Sequence, residues 1–133
     1  MLVDETGAVR YEGHNETAGG DETQHPEFAI ARWAAANMTP DERAASTVYT
    51  SGEHCPMCAA AHGWVGLGRI VYASSSEQLS SWLDELHVAP PPVATLPINQ
   101  VVPGVPTEGP FPALADAIRE LHQRYALAER NKT

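Results

Sequence analysis

The stretch Ser46–Ala73, STVYTSGEHCPMCAAAHGWVGLGRIVYA, decides how the rest of the chain is read. Its opening Ser-Thr-Val-Tyr-Thr is rich in β-branched and aromatic residues and has the length of a short buried strand. Pro56 suits the first position of a helix, where its missing N–H costs nothing, and Ala59-Ala60-Ala61 carries that helix to about Val65. Gly66 and Gly68 punctuate the chain, and Arg69-Ile70-Val71-Tyr72-Ala73 is again a strand. Strand, helix and strand following one another in so short a span argue for an α/β protein.

Upstream, Met1–Asp4 and Ala8–Glu12 read as extended arms around a Glu5-Thr6-Gly7 turn, a hairpin. A polar loop runs from His14 to Gln24. From His25 the period changes: Phe28, Ala29, Ile30, Trp33, Ala34 and Ala36 crowd into a helix to about Met38, with Pro26 in its first turn. Thr39-Pro40-Asp41 then breaks or restarts the chain. Downstream, Glu77–Leu86 is a helix with Leu79, Trp82, Leu83 and Leu86 on one face. Pro90-Pro91-Pro92 marks a linker, Ile98–Val102 reads as a further strand, and Phe111–Glu129 as an amphipathic helix. There are no internal repeats, and 133 residues make one domain, 1–133.

Seventeen acidic residues against eight basic ones give a net charge of −9. So acidic a surface repels phosphate backbones, and no Lys/Arg cluster offers a local exception, which makes nucleic acid an unfavoured substrate. No apolar run is long enough for a membrane span. The N-terminus lacks the basic and apolar regions of a signal peptide, so the expected location is cytoplasmic. The two cysteines, Cys55 and Cys58, are too few for a disulfide scaffold; a redox pair, half of a metal site or coincidence remain.

His25-Pro26-Glu27 opens one helix and Cys55-Pro56-Met57-Cys58 opens another. Both helices start after a loop, so both present their first turn to the end of the sheet where α/β proteins build their sites. One imidazole and two thiolates suit zinc, which takes nitrogen and sulfur tetrahedrally and leaves a fourth position for water. The metal lowers the pKa of that water to about 7, so that hydroxide is available at neutral pH. Glu27, two residues after His25, is placed to reach the water without ligating the metal and to move its protons. His25 alone would read as a surface or capping residue, and Glu27 alone as a favourable charge at a helix start; the combination gives them their chemistry.

His-x-Glu followed by Cys-x-x-Cys is the signature of zinc deaminases. The text GHNET…QHPEFAIARWA…TVYTSGEHCPMCAAAHGWVGLGRIVYA resembles the cytidine deaminase superfamily, and more closely its guanine, cytosine and nucleoside deaminase branch. The resemblance implies a three-layer α/β/α fold around a five-stranded mixed sheet. It implies a hydrolytic deaminase of a free base such as guanine, cytosine or an aminotriazine, with Zn2+ on His25, Cys55 and Cys58 and with Glu27 as proton carrier. By the same resemblance Asn15 matches a loop asparagine that hydrogen-bonds the substrate carbonyl, and Glu53 a second acidic position near the site. An aromatic lid is expected over the ring, from Trp82 or Tyr125; core packing is the other reading of Trp82, and of Trp33 and Trp64. A homodimer is implied as well, with exchange of the C-terminus permitted by the segment Pro90–Pro110.

Two departures from the family pattern stand out. The residue before the first cysteine is usually proline and here is His54, which puts a titratable group at the rim of the site. Family members also carry a helix before the first strand, and this sequence starts inside that strand. Three rival readings remain: tRNA adenosine deamination, a thiol-redox protein using Cys55 and Cys58, and a non-catalytic zinc-stabilised domain.

Overall fold

The computed structural model describes residues 1–132. The N-terminal hairpin forms as expected, β1 (Leu2–Val3) and β2 (Val9–Tyr11). Asp4 closes its turn by accepting from Thr6 N–H and from Ala8 N–H. After the polar loop, α1 (Pro26–Asn37) leads to a short restart, α2 (Pro40–Ala44). Thr39 and Glu42 cap that restart reciprocally, each side chain accepting from the other's backbone N–H. Then come β3 (Thr47–Gly52), α3 (Pro56–Val65), β4 (Arg69–Ser74) and α4 (Ser76–Glu85). The C-terminal part comprises α5 (Ile98–Val101), β5 (Thr107–Glu108) and α6 (Pro112–Arg130).

The strands form one five-stranded mixed sheet in the order β2-β1-β3-β4-β5. The hairpin pairs antiparallel onto β3, whereas β3, β4 and β5 run parallel. Val48 and Ile70 are register partners, so their side chains share one face. On that face Val48 joins Leu2, Ile30, Ala31, Ala34, Met38 and Leu67, while Ile70 joins Ala59 and Ile98. Where α1 meets α3 the buried residues are mostly small: Ala31 and Ala34 of α1 share a cluster with Ala61 and Val65 of α3, which lets the two helices lie close together. Each fully buried Leu, Ile or Val contributes about 1.5–3 kcal/mol relative to an exposed one.

The other face is covered by α6, completing three layers. Phe111 N–H donates to Ala73 O at 3.0 Å, and Phe111 and Leu114 line a 400 Å³ cavity with Tyr49, Val71 and Ala73. Trp82 of α4 packs on His122 of α6 with ring centroids 6.0 Å apart, and Arg119 pairs with Glu85 across the same seam.

Two sequence expectations are corrected. Ile98–Val102 is not a strand: its first four residues form α5, and the fifth strand is the two-residue β5. So short an apolar run shows no period by itself. In place, Ile98, Val101 and Val102 all meet the Ala59–Ile70 cluster, the i, i+3, i+4 spacing of a helix. Trp64 is not core but 90% exposed. The missing side chain of Gly63 makes room for Val102, whose Cγ1 would lie 2.9 Å from a Cβ there. The next residue, about 100° further round the helix, therefore faces water.

Gly68 fixes the turn from α3 into β4. A Cβ there would meet Ser46 O at 2.3 Å and Ala44 O at 2.6 Å, both backbone atoms. Gly68→Ala is expected to lower unfolding stability by about 1–3 kcal/mol, read as a lower urea midpoint with unchanged slope.

Candidate metal centre

The first turns of α1 and α3 start beside each other. His25 and Cys55 are the residues before these helices, both in extended conformation, and neither side chain caps its own helix. Proline at the next position of each, Pro26 and Pro56, has no N–H to be capped. With neither engaged as a cap, the imidazole and the thiols meet. His25 Nδ1 lies 3.5 Å from Cys55 Sγ and 3.5 Å from Cys58 Sγ, and all three ligand atoms lie within 4.8 Å of one another. Zinc bonded at about 2.3 Å to sulfur and about 2.1 Å to nitrogen in a tetrahedron would hold S and N about 3.6 Å apart. The donor set fits that metal.

The thiols are electronically unequal. Cys55 is pushed down to about 5, first by the hydrogen bond from Cys58 and further by His25, against the opposing cost of burial. Cys58 is pushed up, because it holds the proton that the pair shares, because it is buried, and because the charges of Cys55 and Glu27 face it. Glu27 lies in the first turn of α1, two residues after His25. Its carboxylate is held from β3: Thr50 Oγ1 lies 2.6 Å from Glu27 Oε1.

A family model described as the cytidine and deoxycytidylate deaminase zinc-binding region matches residues 1–74. The chain belongs to this deaminase family. His25, Cys55 and Cys58 of the deaminase domain are positioned as its zinc site. The domain is 32% identical over 91 residues to a probable cytosine deaminase of Schizosaccharomyces pombe, an alignment covering 68% of this chain and 55% of that protein. It thus spans about half the length of the curated relative it matches. A solved structure from a study of A-to-I editing by tRNA deaminases at the wobble position is 33% identical, covering 56% of this chain and 57% of that one, with a TM-score of 0.46. A mutant protein solved in complex with 8-azaguanine is 22% identical, covering 87% of this chain and 63% of that one, at TM-score 0.58. At that identity the likeness is one of fold.

The remaining expected site residues fall in different places. Asn15 sits on the exposed loop, where its Oδ1 accepts from the Thr17 N–H and hydroxyl; among the described residues its amide nitrogen makes no hydrogen bond. Glu53 carries two helix starts, accepting Ser76 N–H on Oε1 at 3.0 Å and Ile98 N–H on Oε2 at 2.7 Å. It also lines a 390 Å³ cavity with Tyr72, Gln78 and Asn99. Trp82 is buried between α4 and α6, and Tyr125 is exposed on α6; neither lines this cavity or the one beside Thr50. Tyr72, which lines both, was not singled out from sequence, and neither was Thr50. Burial and the charge of Glu53 push the Tyr72 hydroxyl up.

His54 is not at the rim. It is 1% exposed, edge-on to His62 at 5.4 Å, and neither of its ring nitrogens has a hydrogen-bond partner among the described residues. Burial, then the neighbouring His62, pushes it down from 6.5 to about 3. Below pH 6.5 the unfolded chain takes up this proton and the folded chain does not, so stability is lost progressively as pH falls towards 3. Replacing His54 with Leu should flatten this acid limb. Relative to wild type, the variant should gain about 1.4 kcal/mol for each pH unit between 6.5 and about 3, measured by urea melts at a series of pH values.

Proposed function

We propose that this chain is a zinc-dependent hydrolytic deaminase of a free nucleobase or related amino-heterocycle, of guanine, cytosine or aminotriazine type. The observation that carries the reading is the convergence of His25 Nδ1 and two thiols beside a carboxylate, Glu27, that is itself held from the sheet. When bound, zinc supplies the Lewis acidity that lowers the pKa of water to about 7. Glu27 would take a proton from the attacking water as its oxygen bonds the amine-bearing carbon and deliver it to the neighbouring ring nitrogen; it would then take the remaining hydroxyl proton of the added oxygen and pass it to the amine as the C–N bond breaks. Oxygen replaces the amine and ammonia leaves.

Asn15 supports substrate binding through its free amide N–H2, a donor for a ring carbonyl. Glu53 frames the site by fixing the starts of α4 and α5 at the edge of its cavity. The name of the fission-yeast relative, probable cytosine deaminase, supports a base as substrate. The net charge of −9 favours a neutral ring over a phosphate chain. Two free cysteines accord with a reducing, cytoplasmic location. The exposed Leu114, Leu121, Tyr125 and Leu127 of α6 support a homodimer.

The test is ammonia release from guanine, cytosine, melamine, their nucleosides where these exist, and tRNA, with zinc content determined on the same preparation. One zinc per chain with release from free bases is the expected result. Release from tRNA alone would replace the base with a polynucleotide. Zinc without any release would leave a zinc-stabilised domain, and a Cys55–Cys58 disulfide without zinc would leave a redox protein.

A further inference from the structure

We propose that Thr50 is a positioning residue that holds the Glu27 carboxylate in the orientation its proton transfers require; this rests on the reading of Glu27 as the proton carrier. The Thr50 hydroxyl has one hydrogen and two acceptors within reach, Glu27 Oε1 at 2.6 Å and Gly52 O at 2.9 Å. The carboxylate is the shorter contact and the charged one, and its distance falls in the range of charge-assisted O–H···O bonds. Gly52 O is the alternative acceptor for the same hydrogen, at the longer distance and without charge.

The anchor is rigid at both levels. Thr50 is β-branched and therefore stiff at its first side-chain torsion. It lies on β3, between β1 and β4 in the sheet, with Tyr72 as its register partner. Glu27, by contrast, is a long side chain in the first turn of α1. Among the described residues no other hydrogen bond is made to its carboxylate. With Oε1 engaged by Thr50, Oε2 is the oxygen left to exchange protons. A carboxylate free to rotate would spend part of its time with neither oxygen aligned, which lowers turnover without weakening substrate binding.

Two variants separate this from mere packing. Thr50→Val keeps the shape and the branching but loses the hydroxyl; Thr50→Ser keeps the hydroxyl and loses the methyl. With zinc content matched and guanine and cytosine as probes, Thr50→Val should lower kcat roughly 10- to 100-fold with KM unchanged. Thr50→Ser should restore most of the loss. Crystal structures of the zinc-loaded wild type and Thr50→Val should show the Glu27 carboxylate ordered in the first and turned away or split in the second. A Thr50→Val enzyme with full kcat and an unmoved Glu27 would overturn the proposal, as would a Thr50→Ser enzyme as impaired as the valine variant. If the wild type releases ammonia from neither base, the deaminase reading is what fails at that step. The orientation of Glu27 in the two crystal structures then still decides the role of Thr50.

Discussion

Replacing Glu27 with glutamine is expected to lower kcat 100- to 10,000-fold, the usual span for removing a general acid–base group, at about 2.7–5.5 kcal/mol of transition-state stabilisation. The substitution is nearly isosteric. An amide oxygen at the same place still accepts the Thr50 hydroxyl that lies 2.6 Å from Glu27 Oε1, so the side chain keeps its anchor. The amide cannot accept and return a proton at neutral pH. Glu27 is not among the residues positioned to hold the metal, His25, Cys55 and Cys58, so zinc content should remain one per chain and the melting temperature should stay close to wild type. Retained zinc with lost turnover would separate an enzyme from a zinc-stabilised domain. Turnover surviving the substitution would remove Glu27 from the chemistry.

Removing the metal should have the larger effect, since no part of the proposed reaction proceeds without it. Cys58 is fully buried and its sulfur is one of three converging ligands. Cys58→Ser keeps the volume and replaces a soft thiolate with a poor ligand for zinc. The variant is expected to retain only a trace of zinc after dialysis and to release no measurable ammonia. Wild type treated with a chelator should lose activity in step with zinc and regain it on adding zinc chloride; the serine variant should not. Metal uptake also has a proton signature. The cysteine pair shares a proton, with Cys55 pushed down and Cys58 pushed up by their mutual hydrogen bond, and zinc displaces it. Calorimetric titration in buffers of different ionisation enthalpy should register that release. Under the redox reading the chelator would leave the protein unchanged, and the thiols would cycle to a disulfide instead.

The candidate metal-binding residues were legible because His25 and Cys55 each open a helix with proline next and Cys58 follows in the same first turn as Cys55, a local pattern that does not depend on the rest of the fold. The strand–helix–strand unit from Thr47 to Ser74 was legible for a related reason, since its punctuation by Pro56, Gly66 and Gly68 is written into the chain. What sequence did not show depends on contacts made only in three dimensions. Thr50 is an ordinary strand residue until α1 brings Glu27 to it. Tyr72 reads as strand filler until two cavities open beside it. His54 looked like a rim residue because of its neighbour Cys55, yet the start of α3 turns it inward against His62. Ile98–Val101 took the shape of a helix because its partners, Ala59 and Ile70, reward a spacing that four residues cannot display alone. Trp64 faces water because Gly63 gave its place to Val102.

The close seating of α1 on α3 also makes the metal a gauge of tertiary structure. Cys55 and Cys58 sit within one turn and can capture an ion before the rest of the chain is organised. His25 lies thirty residues upstream and arrives only when the two helices dock, closing a long loop at an entropic cost. Whatever zinc affinity exceeds that of the cysteine pair alone therefore equals the coupling free energy between ligand capture and helix docking. A substitution that wedges the seam apart, such as a larger side chain at Ala31 or Ala34, would make the domain leak metal while its circular dichroism still reports a folded protein.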